Sequence, residues 1–323
     1  MSYVNETKEK VLGGSRLTKD EAMGLWTQPL EELCSAADDI RRKLCADDFD
    51  ICTIINGKSG SCSEDCKFCA QSAYNHTGAV HYPLLPAEEI IEQAKINYEQ
   101  GVLRYSIVTS GKRLSDAEVD EMCGTVRRIC SEVGIAVCAS FGLLNETQYR
   151  RLKEAGVVRV HNNLETSRRF FPQICTTHTY DEKIDAIKAA RAAGLDVCSG
   201  GIVGLGENNE DRVDMAITLR SLDIKSVPVN MLNPIPGTPL EQNKKLTEED
   251  MRRITAVYRF ILPDASIRLA GGRGLLADKG EACFRSGANA AISGDMLTTF
   301  GITVKTDMAL LEKLGYHPSL GNR

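Results

Sequence analysis

The chain has 323 residues, 42% of them hydrophobic and 26% charged, with a formal net charge of -5. Its pI of about 5.7 and the absence of a basic stripe argue against a nucleic-acid partner. No apolar run reaches membrane-spanning length, and the opening MSYVNETKEK lacks the apolar core of a secretory signal. The expectation is a cytoplasmic protein that makes no membrane contact.

In chain order, residues 1–48 read as a helical extension; one face of it carries Leu30, Leu33, Cys34, Ala37 and Ile40. A buried strand follows at 50–55, then the cysteine-rich run CSEDCKFC. From there a unit repeats: an amphipathic helix, a glycine stop, and an apolar strand at once. Gly101, Gly134, Gly156 and Gly194 are the stops, and the strands after them are 103–109, 135–141, 157–162 and 195–203. Further strands are expected at 226–232, 266–270 and 288–293, making eight. Thr179 with Glu182, and Thr247 with Asp250, have the spacing of helix-starting capping boxes. Eight alternating units predict an α/β fold, a (β/α)8 TIM-type barrel over 49–300 with a short helical tail at 301–323, all one domain. In such a barrel, chemistry belongs at the C-terminal ends of the strands.

Twelve cysteines are too many for a packing explanation alone, and a reducing compartment disfavours disulfides. Cys34, Cys123 and Cys130 lie on apolar helix faces and read as small core residues; Cys45 and Cys283 sit in no motif. Cys62, Cys66 and Cys69 are different. Their C-x3-C-x2-C spacing can hold three irons of a four-iron cubane and leave the fourth open for a chelating molecule. A zinc site with a distant fourth ligand is the competing reading, although zinc sites usually pair C-x2-C motifs and no second pair is present.

That trio resembles the radical S-adenosylmethionine superfamily, with Phe68 in the position of the aromatic near the adenine. The segments HNNLETS at 161–167, TTHTY at 176–180, CSGGIVGLGE at 198–207, VPVNML at 227–232, IRLAGGR at 267–273 and GANAAISGDMLTT at 287–299 together resemble the biotin synthase family, in that family's order. The resemblance implies a sulfurtransferase that inserts sulfur into dethiobiotin through two hydrogen abstractions. Its implied cofactors are a [4Fe-4S] cluster, S-adenosylmethionine and an auxiliary iron–sulfur cluster. Its implied partners are a reduced flavodoxin or ferredoxin and the iron–sulfur assembly machinery, with a homodimer as one assembly open to it. By matching position, Asn163 and Glu165 would hold the ribose of the cofactor and Lys183 its carboxylate. His161 and Asn230 would meet the ring of dethiobiotin, and Thr298 and Thr299 its carboxylate. The alternative is a relative with the same barrel, such as a hydrogenase-cofactor maturase or a methylornithine synthase.

The auxiliary cluster is where this sequence departs from the family. Cys138, Cys198 and Arg268 match three of its ligands, but Ser106 stands where a fourth, a cysteine, is expected. Arg104, two residues earlier, is retained as a cation behind the ligands. Cys52, ten residues before Cys62, stands where familiar members have serine. Cys52, Cys138, Cys198 and Arg268 fall on strands one, three, five and seven, the alternation that makes one interior layer of such a barrel. Cys52 is therefore read as a ligand rather than a small core residue. Three thiolates then suit a four-iron cluster with one unusual corner, closed by Arg268 or by an extra sulfide; a [2Fe-2S] cluster is the other form open to it. Cys175 is a further ligand candidate from a loop.

Overall fold

The computed structural model describes residues 1–320. Ten strands form one parallel sheet: β1 (Asp48–Lys58), β2 (Arg104–Thr109), β3 (Ala136–Ser140), β4 (Val157–His161), β5 (Asp196–Cys198), β6 (Gly201–Val203), β7 (Ser226–Met231), β8 (Ser266–Leu269), β9 (Ala290–Ser293) and β10 (His317–Pro318). The order runs β1-β2-β3-β4-β5-β7-β8-β9, and β9 pairs back onto β1, which closes the barrel. Helices between the strands cover the outside, so the barrel strands are largely buried on both faces, as a parallel sheet requires, while the two residues of β10 are exposed. All eight expected strands are present.

Their helices start and stop where the sequence says. Thr179 and Thr247 complete capping boxes with Glu182 and Asp250, and Ser115–Glu118, Asn145–Gln148 and Asn208–Asp211 add three more. Gly156 ends its helix with φ 111°, a conformation a β-carbon would strain. The extension folds as three helices, Tyr3–Leu12, Lys19–Gly24 and Leu30–Cys45, the last packed on the barrel helix Glu248–Ile261.

Three details differ from the expectation. The fifth barrel position is split into β5 and β6, because Pro228 in the adjoining β7 has no N–H to continue the ladder. The break lets Gly200 press onto the Pro228 carbonyl, within 2.0 Å of where a β-carbon would stand. The tail is a helix, Val304–Leu314, that continues into β10, which pairs with the start of β1 and seals the bottom of the barrel. Cys130 is exposed rather than in the core: it lies on the flank of its helix, over the chain turn at Gly156, while Cys34 and Cys123 are buried as expected. Among the described residues, no helix is long and apolar enough to cross a membrane.

Candidate active site: two sulfur-rich regions on one cavity

The barrel interior is built in tiers, because every second residue of a strand points inward. The lowest tier is ionic. Asp50 lies at the centre, with Arg104 Nε at 3.2 Å and Arg159 and Arg268 each at 2.8 Å. Burial opposes its charge, but the three guanidiniums win and hold its carboxyl down at about 2. The Leu320 carbonyl also accepts from Arg104, so the tail fastens this tier from below.

Two residues further along each strand comes a tier of sulfur and imidazole: Cys52, Ser106, Cys138, His161 and Cys198. Cys52, Ser106, Cys138 and Cys198 are all at most 1% exposed. Cα register pairs Ser106 with Cys138 and His161 with Cys198. Burial pushes the Cys52 thiol up to about 12, against the pull of Arg268. Cys198 is also desolvated, yet His161 and Arg268 bring it down to about 6. Burial disfavours charge on His161 as well, but the Cys198 and Cys138 sulfurs beside it raise it to about 9. Ser226 donates to Cys198 Sγ at 3.2 Å.

Four polar atoms of these two tiers are enclosed without a hydrogen-bond partner: Ser106 Oγ, Arg159 Nε, His161 Nε2 and Arg268 Nε. Interiors rarely leave such groups orphaned unless something else occupies the space. Three buried thiols with orphaned polar atoms beside them fit a bound iron–sulfur group.

Two residues further still, Ile54, Val108, Ser140 and Asn163 open into a cavity of about 350 Å³. Ser106 and His161 form part of its floor; Phe68 and Cys69 line it from the loop after β1. Asn230, Thr298 and Thr299 line it too. The Asn230 amide is fixed at both ends, donating to the Gly201 carbonyl at 3.0 Å and accepting from Gly271 N–H at 2.8 Å. Asn163 Oδ1 accepts from Gly200 N–H at 3.2 Å. Glu165 sits in the left-handed region at φ 70°, locked by backbone bonds to Gly200 and Ile202. Such a conformation is costly for a residue with a β-carbon and persists only where the surroundings impose it. Glu165 Oε2 is enclosed and unpartnered; burial raises its carboxyl above the usual range despite Lys183 and His178 nearby.

The loop after β1 carries the trio Cys62, Cys66 and Cys69, all free and partly exposed. It folds on itself: Cys62 N–H donates to the Gln71 carbonyl, Ala73 N–H to the Cys62 carbonyl, and Asn75 Nδ2 to the carbonyls of Cys66 and Cys69. Asp65 then clasps the segment after β4, accepting from the Thr176 and Thr177 N–H groups at 2.8 and 3.2 Å. Three thiols gathered in one tight loop fit three irons of a cubane.

The clasp has a consequence for Cys175. The structure puts it beside the trio rather than among the barrel thiols: the ligand atoms of Cys66, Cys175 and His178 lie within 4.8 Å of one another. His178 Nδ1 is 2.6 Å from Glu64 and 3.3 Å from Cys175 Sγ. The sequence pattern did not single out Asp50, Arg159, Glu64, Asp65 or His178. For Arg159 a signal existed: in VVRVHNN, polar Arg159, His161 and Asn163 alternate within a strand that should be buried.

A parallel (β/α)8 barrel with a C-x3-C-x2-C loop at the mouth of its first strand defines a radical S-adenosylmethionine enzyme. The Radical SAM superfamily model matches residues 58–219, and the Biotin and Thiamin Synthesis associated domain matches 228–317. The chain is 58% identical over 313 residues to a biotin synthase of Brachyspira hyodysenteriae, covering 97% of this chain and 94% of that one. It is 55% identical to a biotin synthase of Akkermansia muciniphila, covering 98% of each. The chain belongs to the biotin synthase family. Solved structures of the same fold include methylornithine synthase, at TM-score 0.84 and 21% identity over 97% of both chains. Another is the FeFe-hydrogenase maturase of Carboxydothermus hydrogenoformans, at 0.82 and 18% over 98% of this chain and 79% of that one. The two alternative relatives thus share the barrel, while identity across the whole chain favours biotin synthesis.

Proposed function

We propose that this chain inserts sulfur into dethiobiotin to form biotin. The observation that carries the reading is one cavity with the cluster-binding loop on one wall and the buried thiol tier beneath it. Bound at these two places, a [4Fe-4S] cluster with S-adenosylmethionine supplies a hydrogen-abstracting radical, and an auxiliary iron–sulfur cluster supplies sulfur.

The residues divide the work. Cys62, Cys66 and Cys69 hold the first cluster, and Phe68 lies along the adenine. Glu165, with its unpartnered oxygen, and Asn163 take the ribose hydroxyls; Lys183 offers a cation to the carboxylate. Asn230, oriented by its two backbone bonds, keeps one N–H and one lone pair for the ureido ring. Thr298 and Thr299 receive the substrate carboxylate. Cys52, Cys138 and Cys198 hold the auxiliary cluster, with Arg268 donating to Cys52 Sγ at 3.2 Å. Arg104 and Arg159 keep the ionic tier beneath it in place. The apolar wall of Ile54, Val108 and Ile292 keeps water from a carbon radical.

The chain acts as one unit, because strands matched by both family models complete the same barrel. It works in the cytoplasm, takes electrons from a reduced flavodoxin or ferredoxin, and receives its clusters from the assembly machinery. The test is anaerobic turnover of the reconstituted protein with dethiobiotin, S-adenosylmethionine and a reductant. Biotin by mass spectrometry is the expected result; cleavage of S-adenosylmethionine without biotin would assign the chain to another reaction of the superfamily.

A further inference from the structure

We propose that the chain, before its first cluster is built, binds one zinc ion through Cys66, Cys175 and His178, at the seam between the loop after β1 and the segment after β4. The inference stands apart from the barrel thiols and gives Cys175 a role that sulfur insertion leaves unassigned.

Among the described residues, the ligand atoms of Cys66, Cys175 and His178 converge within 4.8 Å of one another. Cys175 and His178 are buried and Cys66 is partly so, and the three donors face one another across the seam. Two thiols and an imidazole withdrawn from the surface are a donor set that zinc favours. With both thiols deprotonated they also cancel its charge, which a buried site needs. With bonds of about 2.3 Å to sulfur and about 2.0 Å to nitrogen, the donors of a tetrahedral zinc stand about 3.6 Å apart. His178 Nε2 stands 3.8 Å from Cys175 Sγ.

The imidazole is prepared for the role. Glu64 Oε2 lies 2.6 Å from Nδ1, which favours a proton there and leaves the Nε2 lone pair for a metal. A carboxylate behind a histidine is the usual outer support of a zinc-bound imidazole. Glu64 is itself buried and oriented, accepting from Thr177 Oγ1 at 2.8 Å and Ser63 Oγ at 2.9 Å. Phe171 meets the His178 ring edge-on, with 5.6 Å between centroids. The two backbones are joined without any metal: Lys67 N–H donates to the Ile174 carbonyl at 2.9 Å, next to the Asp65 clasp. The site therefore needs neither Cys62 nor Cys69.

Cys66 belongs to both arrangements. A thiolate committed to a cubane iron is withdrawn from the seam, so the zinc ion and the first cluster exclude each other. Zinc held here has to leave before the trio can take iron. Cys175 and His178 thus make the loading of the loop sensitive to zinc.

The test uses the full, metal-free chain under anaerobic conditions, carrying Cys62→Ala and Cys69→Ala so that the trio is disabled and Cys66 remains. One equivalent of Zn2+ should show two sulfurs and one imidazole by X-ray absorption. Titration with Co2+, the optical probe, should give tetrahedral thiolate bands. Adding Cys175→Ser or His178→Gln should remove one cobalt ion, while any ion held by the barrel thiols stays in every form and cancels in the comparison. In the chain with its trio intact, Cys175→Ser should raise the zinc needed to block iron loading of that trio by about tenfold. Zinc bound by sulfur alone would overturn the site. So would cobalt stoichiometry and bands unchanged in both variants, with native circular dichroism, or an equal zinc sensitivity with and without Cys175.

Discussion

The loop at the barrel mouth and the tier at its centre both collect cysteines, but by opposite routes. Cys62, Cys66 and Cys69 lie within eight residues, are partly exposed, and are gathered by bonds inside one loop. Cys52, Cys138 and Cys198 are scattered over three strands, buried, and brought together only when the barrel closes. A locally built site can be emptied without harming the fold. A site assembled by the fold shares its supports with the core, so damage there should cost stability as well as chemistry.

The largest effect is on metal content. Iron and acid-labile sulfide are counted after anaerobic reconstitution; about eight irons are expected if both clusters are four-iron forms, and about six if the auxiliary cluster has two. Cys66→Ala should lose about four of them and all turnover with its unfolding midpoint unchanged. Cys198→Ala should lose the auxiliary irons and also unfold earlier. Equal destabilisation by both variants would erase the distinction. Sulfide equal to iron fits a corner closed by Arg268, whereas sulfide in excess fits an extra sulfide there.

Next is the ionic tier. Asp50→Asn leaves Arg104, Arg159 and Arg268 without their shared carboxylate, and about 3–5 kcal/mol of stability should go, read by denaturant unfolding. The same carboxyl sets an acid response. Its pKa is lowered on folding from 3.8 to about 2, so its contribution is present above about pH 4 and fades as pH falls towards 2. A loss of about 2 kcal/mol across that window is expected in the cluster-free chain and should be absent in Asp50→Asn.

The smallest effects belong to the loop clasp. Asp65→Ala removes the acceptor for two N–H groups and should cost about 1 kcal/mol, detected as faster proteolysis at 59–82 more than as global unfolding. Cys175→Ala should leave the iron count unchanged; loss of iron would make Cys175 a ligand beside the trio.

Local sequence patterns fix the strands, the helix caps, the closed barrel and the loop that gathers three thiols. Each is a local pattern: alternating helix and strand, a Thr three residues before an acid, three thiols within eight residues. The family resemblance, together with strand counting, also raised Cys52 as a replacement for the thiol missing at Ser106. The tertiary structure decided what could not be read locally. Cys175 went to the trio because Asp65 draws its segment across the barrel mouth. Arg268 was committed to Asp50, a partner more than two hundred residues away. His161, a substrate contact by resemblance, came to rest against two thiols because adjacent strands hold its register. Side-chain neighbours across a barrel depend on register and on which polar groups already have partners, and both are fixed only when the sheet closes.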